Sequence, residues 1–254
     1  MDIVTSSANA IATLEFNRPQ RRNALTSGMY TLLTDALRAA EADDAIRVIV
    51  FRGTAEVFCA GNDIEDFMQH PPAGTDAPVF GFLHAVTHAT KPLVAAVNGP
   101  AVGIGTTLLF HCDLVYVGDN ARFQLPFTSL GVVPEFASTY MLPLIAGYQR
   151  AAELLLLGES FGPDKALAAG FVTRVVPASE TFETAAKAAA QLASLPPESI
   201  RLTKALMRQA HREAIDIQLR KEGEHFRGLL GKPAAREAMR AFLEKRKPDF
   251  SREK

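Results

Sequence analysis

The chain has 254 residues, of which 48% are hydrophobic and 22% are charged, and its 27 basic side chains are matched by 28 acidic ones. This composition is typical of a water-soluble globular protein, and a net charge of −1 gives no overall field that would favour nucleic acid or an anionic membrane as a partner. No apolar run approaches the roughly 20 residues of a membrane span, and the first ten residues lack the pattern of a signal peptide. We therefore expect a cytoplasmic protein in which Cys59 and Cys112 are free thiols.

Segments with strand and helix patterns alternate in the first half of the chain. Apolar and polar residues alternate over 11–17, which predicts a half-buried strand. The apolar residues that follow Thr26 and Ser27 recur at helical spacing, so one of these two residues is the predicted helix cap. Residues 70–78 contain three prolines and a glycine, and we expect a mobile loop beside a ligand there. The remaining predicted elements of this half are a strand at 46–52, a short helix at 64–68, a helix at 79–89 and a strand at Leu93–Val97.

The second half changes from strands to helices. We predict in order a strand at 113–117, an extended segment at 123–127, a helix from Glu135 to about Ile145, a helix at 148–157, a short helix from Pro163 to Gly170 and a strand at 171–176. Residues 181–242 show helical periodicity throughout, with Pro196-Pro197 as a hinge. The pattern predicts an α/β protein with a strand-bearing core at 1–195 and a helical region at 196–254.

The chain is organised around one stretch, residues 93–113. A buried apolar strand leads into Asn98-Gly99-Pro100, and a second glycine-rich turn, Gly103-Ile104-Gly105, precedes an apolar run. A strand, a tight turn and a helix start leave backbone N–H groups free at the positive end of the helix dipole. Such groups suit an oxygen that gains negative charge during a reaction. The alternative is a turn that needs glycine only for its backbone angles.

Several other patterns were weighed against simpler explanations. His84 and His88 have the spacing of metal ligands on a helix, but no third ligand is close in sequence, so we predict no metal site. Gly103-x-Gly105 lacks the third glycine and the downstream acid of a dinucleotide-binding turn. The basic cluster at 18–22 is either a solvated turn or a clamp for phosphate groups.

Glu135 is the most informative carboxylate in the sequence. Val132, Val133 and Pro134 precede it and Phe136 follows, so the acid is expected to be desolvated, which raises the pKa of a carboxyl group toward a value useful for a base. A position at the start of a helix lowers the pKa again, so the sequence does not give the sign of the net shift. The alternative is an ordinary acid at a helix N-terminus.

The chain resembles the crotonase superfamily, the enoyl-CoA hydratase/isomerase group, over nearly its whole length. The matching motifs are NRP at 17–19, NAL at 23–25, FCAGND at 58–63, AVNGPAVG at 96–103, CD at 112–113, ARF at 121–123, ALAAGFV at 166–172 and FLEKRKP at 242–248. Together these motifs are highly specific for the superfamily.

The resemblance implies a crotonase-like spiral of ββα units, a C-terminal helical trimerisation region, and a homotrimer or a dimer of trimers. It implies an acyl-CoA thioester as ligand, with coenzyme A as part of the substrate and no separate cofactor. By position, the backbone N–H groups of Asn62 and Ile104 hold the thioester oxygen. The residues implied in binding substrate and coenzyme A are Arg18, Arg21, Arg22, Ala24, Cys59, Ala60, Gly61, Asp63, Ile64, Gly103, Gly105, Phe127 and Lys245.

The chain departs from the pattern of a typical hydratase at both catalytic positions. Thr107 and Phe127 stand where a hydratase of the family has its two glutamates. The segment from Pro126 to Glu135 is instead similar to peroxisomal-type enoyl-CoA delta isomerases, whose single glutamate lies a turn later. The resemblance thus implies that Glu135 is the catalytic base.

The leading hypothesis is an acyl-CoA isomerase that moves a double bond from the 3- to the 2-position with one base. Hydration needs a base for water and an acid for the alpha carbon, so an enoyl-CoA hydratase would need a second acid, for which Asp63 and Glu65 are the candidates. Another crotonase-type reaction, such as thioester hydrolysis, is an alternative of the same kind. A third reading is an acyl-CoA-binding protein without turnover.

Overall fold

The computed structural model describes residues 1–72, 74 and 76–251. Eight strands are present in the described residues: β1 (Ile3–Ala8), β2 (Ile11–Phe16), β3 (Val48–Arg52), β4 (Leu93–Val97), β5 (Pro100–Val102), β6 (Leu114–Gly118), β7 (Arg122–Gln124) and β8 (Arg174–Val176). The helices are α1 (Ser27–Ala42), α2 (Ile64–Gln69), α3 (Pro78–Thr87), α4 (Ile104–Thr107), α5 (Ser138–Ala146), α6 (Tyr148–Ala152), α7 (Pro163–Ala168), α8 (Thr181–Ser194), α9 (Pro197–Gln209), α10 (Arg212–Leu230) and α11 (Pro233–Leu243). A π turn continues α6 over Glu153–Leu157.

A six-stranded sheet in the order β1-β2-β3-β4-β6-β8 forms the centre of the molecule. All neighbouring pairs are parallel except β1 and β2. Every residue of β4 is buried, as expected for a parallel strand that is covered on both faces. Alternate residues of the central strands pack on opposite sides, so one face lies against α8 and the other contributes to the main core.

A second layer is built from short strand segments that follow the long strands. β5 pairs in parallel with β7, and single bridges join Leu25 to Asn62, Cys59 to Ala101 and Phe123 to Phe161. Successive long strands therefore lead into short second strands that stack on one another. This arrangement is the predicted spiral of ββα units, and it brings the segments around Asn62 and Ile104 into one layer.

Four helices follow the last strand and cover the core. Ala185, Ala189 and Ala193 of α8 pack on the central sheet. Buried Lys204 on α9 donates to Asp113 Oδ2 at 2.8 Å and to the Lys91 carbonyl at 2.7 Å, and so ties α9 to the residue that precedes β6. The predicted break at Pro196 is confirmed, because α8 ends at Ser194 and α9 begins at Pro197.

The structure corrects the sequence analysis in three places. β1 was not predicted; five of its six residues are exposed, and it pairs at the edge of the sheet. The last strand is shorter than predicted and begins at Arg174. The helix predicted to open at Glu135 begins at Ser138, because Phe136 and Ala137 have φ values of 64° and 53° that no α-helix contains.

Two further expectations concern the loop and the membrane. The predicted loop at 70–78 includes Ala73 and Thr75, which lie outside the described residues. Within the described part of the chain, no helix is both long and apolar enough to cross a membrane.

Candidate active site

The turn between β5 and α4 determines where Ile104 lies. Gly103 has φ 53° and ψ −119°, a conformation that glycine adopts far more easily than other residues. Gly105 lies directly against the segment that contains Cys59. A Cβ atom at position 105 would be 2.5 Å from the Cys59 carbonyl oxygen. Ile104 is the first residue of α4, so its N–H has no acceptor within the helix, and no other acceptor is found among the described residues.

Asn62 lies on the neighbouring segment of the second layer. Leu25 N–H donates to the Gly61 carbonyl at 2.8 Å, and Asp63 N–H donates to the Leu25 carbonyl at 2.9 Å. The Asn62 N–H between these two bonds has no acceptor in the part of the chain that is described. Tyr30 donates its hydroxyl to Asn62 Oδ1 at 2.5 Å, which fixes the side chain.

Asn62 and Ile104 both line a cavity of about 540 Å³, a volume in the range of small-molecule sites. The wall is mainly apolar, with two arginines at one side. Its lining residues include Arg21, Arg22, Ala24, Ala60, Gly61, Asp63, Ile64, Phe67, Gly103, Phe127, Leu130, Val132, Phe226, Met239, Phe242 and Leu243. An apolar cavity with free N–H groups suits an acyl chain that carries one polar carbonyl.

Glu135 is not one of the residues that line this cavity, although Val132, three residues before it, is. Its side chain is 8% exposed, and Thr107 donates a hydrogen bond to Oε1 at 2.6 Å. Oε2 has no hydrogen-bond partner among the described residues. This hydrogen bond connects the Glu135 carboxylate to α4, because Thr107 is the last residue of that helix and Ile104 is its first.

Burial decides the protonation of Glu135. Desolvation raises the pKa of this carboxyl group to about 8, the hydrogen bond from Thr107 lowers it, and repulsion from Glu222 raises it. The helix start is three residues further on, so the lowering that a helix N-terminus would give does not decide the sign. A carboxylate with a pKa near neutrality is suited to accept and return a proton.

The three arginines of the basic turn have different surroundings. Arg18 donates to Asp63 Oδ2 at 2.6 Å and to the Ala24 carbonyl at 3.0 Å, so its charge is already matched. Arg21 lines the cavity and pairs with Glu65 at 2.5 Å, with both side chains about half exposed. Arg22 also lines the cavity and has no ion pair with a described residue. A phosphate group would therefore meet Arg21 and Arg22 before Arg18.

Arg18 and three other predicted binding residues lie outside the cavity wall. Cys59 is fully buried, and desolvation raises the pKa of its thiol to about 12. Gly105 is buried against Cys59. Lys245 is exposed, two residues after Leu243, which lines the cavity. The remaining predicted positions, including Phe127 at 5% exposure, are in the wall.

Sequence reasoning missed the contribution of the C-terminal helices to the site. Phe67 and Phe226 line the cavity and contact each other edge to face, with ring centroids 5.9 Å apart. Glu222 is 3% exposed and acts on Glu135 from α10. The spacing of Ile215, Leu219 and Glu222 puts this acid within an apolar stripe, which is the signal that could have identified it.

Comparison with known proteins agrees with the geometry. The 2,3-dehydroadipyl-CoA hydratase of Escherichia coli K12 is 36% identical over 98% of each chain. The enoyl-CoA delta isomerase 2 of Rattus norvegicus is 40% identical over 84% of this chain, which spans 56% of the rat protein. Among solved structures, an enoyl-CoA hydratase/isomerase from Pseudoalteromonas atlantica T6c is 40% identical with a TM-score of 0.93, covering 98% of this chain and 100% of that one.

A second structure, Pseudomonas aeruginosa OdaA, is 42% identical with a TM-score of 0.93, covering 95% and 98% of the two chains. The profile of the enoyl-CoA hydratase/isomerase family matches residues 6–253. The free N–H groups in an apolar cavity, the spiral and these matches lead to one conclusion. The chain belongs to the enoyl-CoA hydratase/isomerase family of the crotonase superfamily.

Proposed function

We propose that the protein is an enoyl-CoA delta isomerase that moves a double bond from the 3- to the 2-position of an acyl-CoA thioester, with Glu135 as the single base. The observation that carries the proposal is the desolvated Glu135 carboxylate, which is hydrogen-bonded to the helix that begins at Ile104. The identity with the rat delta isomerase supports the same reaction class.

The chemistry needs one proton acceptor and one site for negative charge. Glu135 removes the alpha proton of the 3-enoyl thioester, and the electron pair moves through the double bond system to give a dienolate. Negative charge on the thioester oxygen is then stabilised by the N–H groups of Asn62 and Ile104, each worth about 3 kcal/mol of barrier. Glu135 returns the proton to the gamma carbon, which yields the conjugated 2-enoyl thioester.

Replacement of the base tests the proposal directly. Glu135→Gln keeps the shape of the side chain and its acceptor for Thr107, but it cannot take a proton. We expect turnover of 3-enoyl-CoA to fall by at least about 100-fold, with thioester binding retained. Formation of the conjugated thioester is followed by its ultraviolet absorbance, and binding is measured by calorimetry with a saturated acyl-CoA.

Glu159→Gln is the matched control, because Glu159 is exposed and outside the cavity wall. It removes the same charge and should turn over 3-enoyl-CoA at the rate of the unchanged protein. Undiminished turnover by Glu135→Gln would remove Glu135 from the mechanism.

A hydratase is the second candidate, supported by the identity with the E. coli hydratase over 98% of each chain. The second acid that hydration needs would be Asp63 or Glu65. Asp63 is paired with Arg18 and caps α2, while Glu65 is paired with Arg21, so both carboxylates have other partners. Rapid hydration of crotonyl-CoA that is lost both in Glu135→Gln and in Glu65→Gln or Asp63→Asn would favour this reaction. Tight acyl-CoA binding without proton exchange at the alpha carbon in heavy water would instead favour a binding protein.

The proposed assembly is a homotrimer or a dimer of trimers, and the proposed location is the cytoplasm. Exposed leucines on α9 support the assembly, and free Cys59 and Cys112 are typical of a reducing compartment. Arg22 and Lys245 are proposed to contact coenzyme A phosphates. Arg22 lies in the cavity wall, and Lys245 comes two residues after Leu243, which also lines the cavity.

A further inference from the structure

The residues immediately after Glu135 have a backbone that needs support. Phe136 and Ala137 both have positive φ, a backbone conformation that is unfavourable for residues other than glycine. A single peptide group joins them, formed by the Phe136 carbonyl and the Ala137 N–H. The conformation of this group determines how the chain continues from Glu135 into α5.

His111 holds the carbonyl side of this peptide group. Its Nε2 lies 2.7 Å from the Phe136 carbonyl oxygen, and its ring stacks on the Phe136 ring with centroids 4.3 Å apart. Burial and the nearby Arg208 lower the pKa of His111 to about 3, so the ring is neutral near pH 7. Its Nε2–H therefore donates to the carbonyl, and Nδ1 faces Arg208 Nη2 at 3.5 Å.

Glu222, on α10, holds the first turn of α5, two residues after this peptide group. Its Oε1 accepts from the Thr139 N–H at 2.9 Å and from the Thr139 hydroxyl at 2.5 Å. Gln218 donates to the same hydroxyl oxygen at 2.6 Å. Glu222 thus receives a free N–H group in the first turn of α5.

The negative charge of Glu222 also repels that of Glu135 and raises the pKa of Glu135. The other acids that interact with Glu135 are Tyr30 and Cys59, and both stay neutral because burial raises the pKa of Tyr30 well above its usual value and that of Cys59 to about 12. Burial raises the pKa of Glu222 to about 7, so its charge changes near neutrality. Within the described residues, Oε2 of Glu135 and Oε2 of Glu222 both lack a hydrogen-bond partner.

We propose that Glu222, together with His111, is a positioning residue for Glu135: His111 fixes the peptide group that follows the base, Glu222 fixes the start of α5 through Thr139, and the charge of Glu222 acts on the base. This inference rests on the proposed role of Glu135 as base. It extends the site to two buried side chains that belong to different helical segments and that do not line the cavity.

Glu222→Gln tests the proposal, because it keeps the acceptor for Thr139 and removes the charge. We expect kcat on 3-enoyl-CoA to fall about tenfold or more with KM changed less than about twofold, since a neutral amide accepts the two Thr139 hydrogen bonds less strongly than a carboxylate and holds the base less firmly, while the cavity wall is unchanged. The pH at which kcat is half-maximal should fall by about half a unit or more, because the repulsion that raises the pKa of Glu135 is gone. Glu224→Gln, an exposed change two residues away on α10, should alter neither kinetics nor pH profile.

Thr139→Val is the second variant and decides the matter if Glu222→Gln does not fold. It removes the hydroxyl that donates to Glu222 but keeps the backbone donor, so kcat should fall by a smaller factor with KM unchanged. NMR titration of ¹³C-labelled glutamate side chains gives the pKa of Glu135 without any assay of turnover.

The outcomes separate the two ideas. Suppose that Glu135→Gln is inactive, but the folded Glu222→Gln and Thr139→Val variants keep the wild-type kcat, pH profile and Glu135 titration. This result would overturn the present inference alone. Active Glu135→Gln would overturn the proposed function, and a lower pKa of Glu135 in Glu222→Gln would still support the charge coupling.

Discussion

At the scale of single residues, the site depends on which partners Glu135 has. Thr107 stands where the sequence comparison places a hydratase glutamate, and here it donates a hydrogen bond to the Glu135 carboxylate. A second carboxylate at position 107 would lie against Glu135 and repel it, so the threonine is suited to a mechanism with one base. The same hydrogen bond lowers the pKa of Glu135 against the effect of burial.

This balance predicts a pH profile with a definite direction. Glu135 acts as a base only when deprotonated, so kcat should rise with pH through a midpoint near its pKa of about 8. Thr107→Val removes a hydrogen bond to the charged form, so the midpoint should move to higher pH. The measurement is kcat on 3-enoyl-CoA between pH 6 and 10 for both proteins, with a range of roughly two units on each side of the pKa. An unmoved midpoint in folded Thr107→Val would contradict this assignment.

At the scale of elements, the short helix α4 must lie directly against the segment that carries Cys59. The space for a side chain at position 105 is absent, because a Cβ atom would be 2.5 Å from the Cys59 carbonyl oxygen and 2.9 Å from its Cβ. This contact joins the Asn62 segment to the Ile104 turn and so fixes the relative position of the two N–H groups.

Gly105→Ala should therefore separate these two segments. We expect a loss of about 1–3 kcal/mol in the free energy of unfolding and a fall in kcat, because both the packing and the oxyanion geometry change. Chemical denaturation and steady-state kinetics measure the two effects. Gly228→Ala is the control, since no atom lies within 4 Å of the added Cβ on α10 and a helical alanine is favourable. Wild-type stability and kcat in Gly105→Ala would disagree with this packing.

At the scale of the whole molecule, the last four helices leave apolar side chains at the surface. Leu202 and Leu206 lie one turn apart on α9 and are 56% and 70% exposed. Such a stripe is more typical of an interface than of a solvated helix. It supports the proposed trimer.

Analytical ultracentrifugation tests the assembly. The protein should sediment with a mass that is a multiple of three times the 27.5 kDa chain. Leu206→Glu should give smaller species, because burial of a carboxylate in an apolar interface is unfavourable. Lys187→Glu, an exposed change on α8, serves as the control for added negative charge. If the wild-type protein sediments as a monomer, the trimer is ruled out.

Much of the fold was predictable from local patterns. The apolar run Leu93–Val97 and the helical spacing around Tyr30 and Leu33 agree with the structure, and of the two predicted caps, Thr26 and Ser27, the structure has Thr26, because each feature depends on residues close in sequence. β1 was not predicted, since its exposed residues show no alternation of apolar and polar side chains. Its pairing partner, β2, also lies outside the segment itself. The start of α5 was placed too early, because the left-handed Phe136 and Ala137 have no sequence signal of their own.

The sequence by itself determined the family, the glycine-rich turn at 103–105 and the single glutamate at 135, since each is a matter of residue type and spacing. Only the tertiary structure decided that Arg18 is neutralised by Asp63, that burial outweighs the other effects and raises the pKa of Glu135, and that His111 and Glu222 hold the segment that follows it. Burial and charge pairing depend on which distant segments pack together. His111, Glu135 and Glu222 lie near one another only because the segments that follow β5 pack against each other.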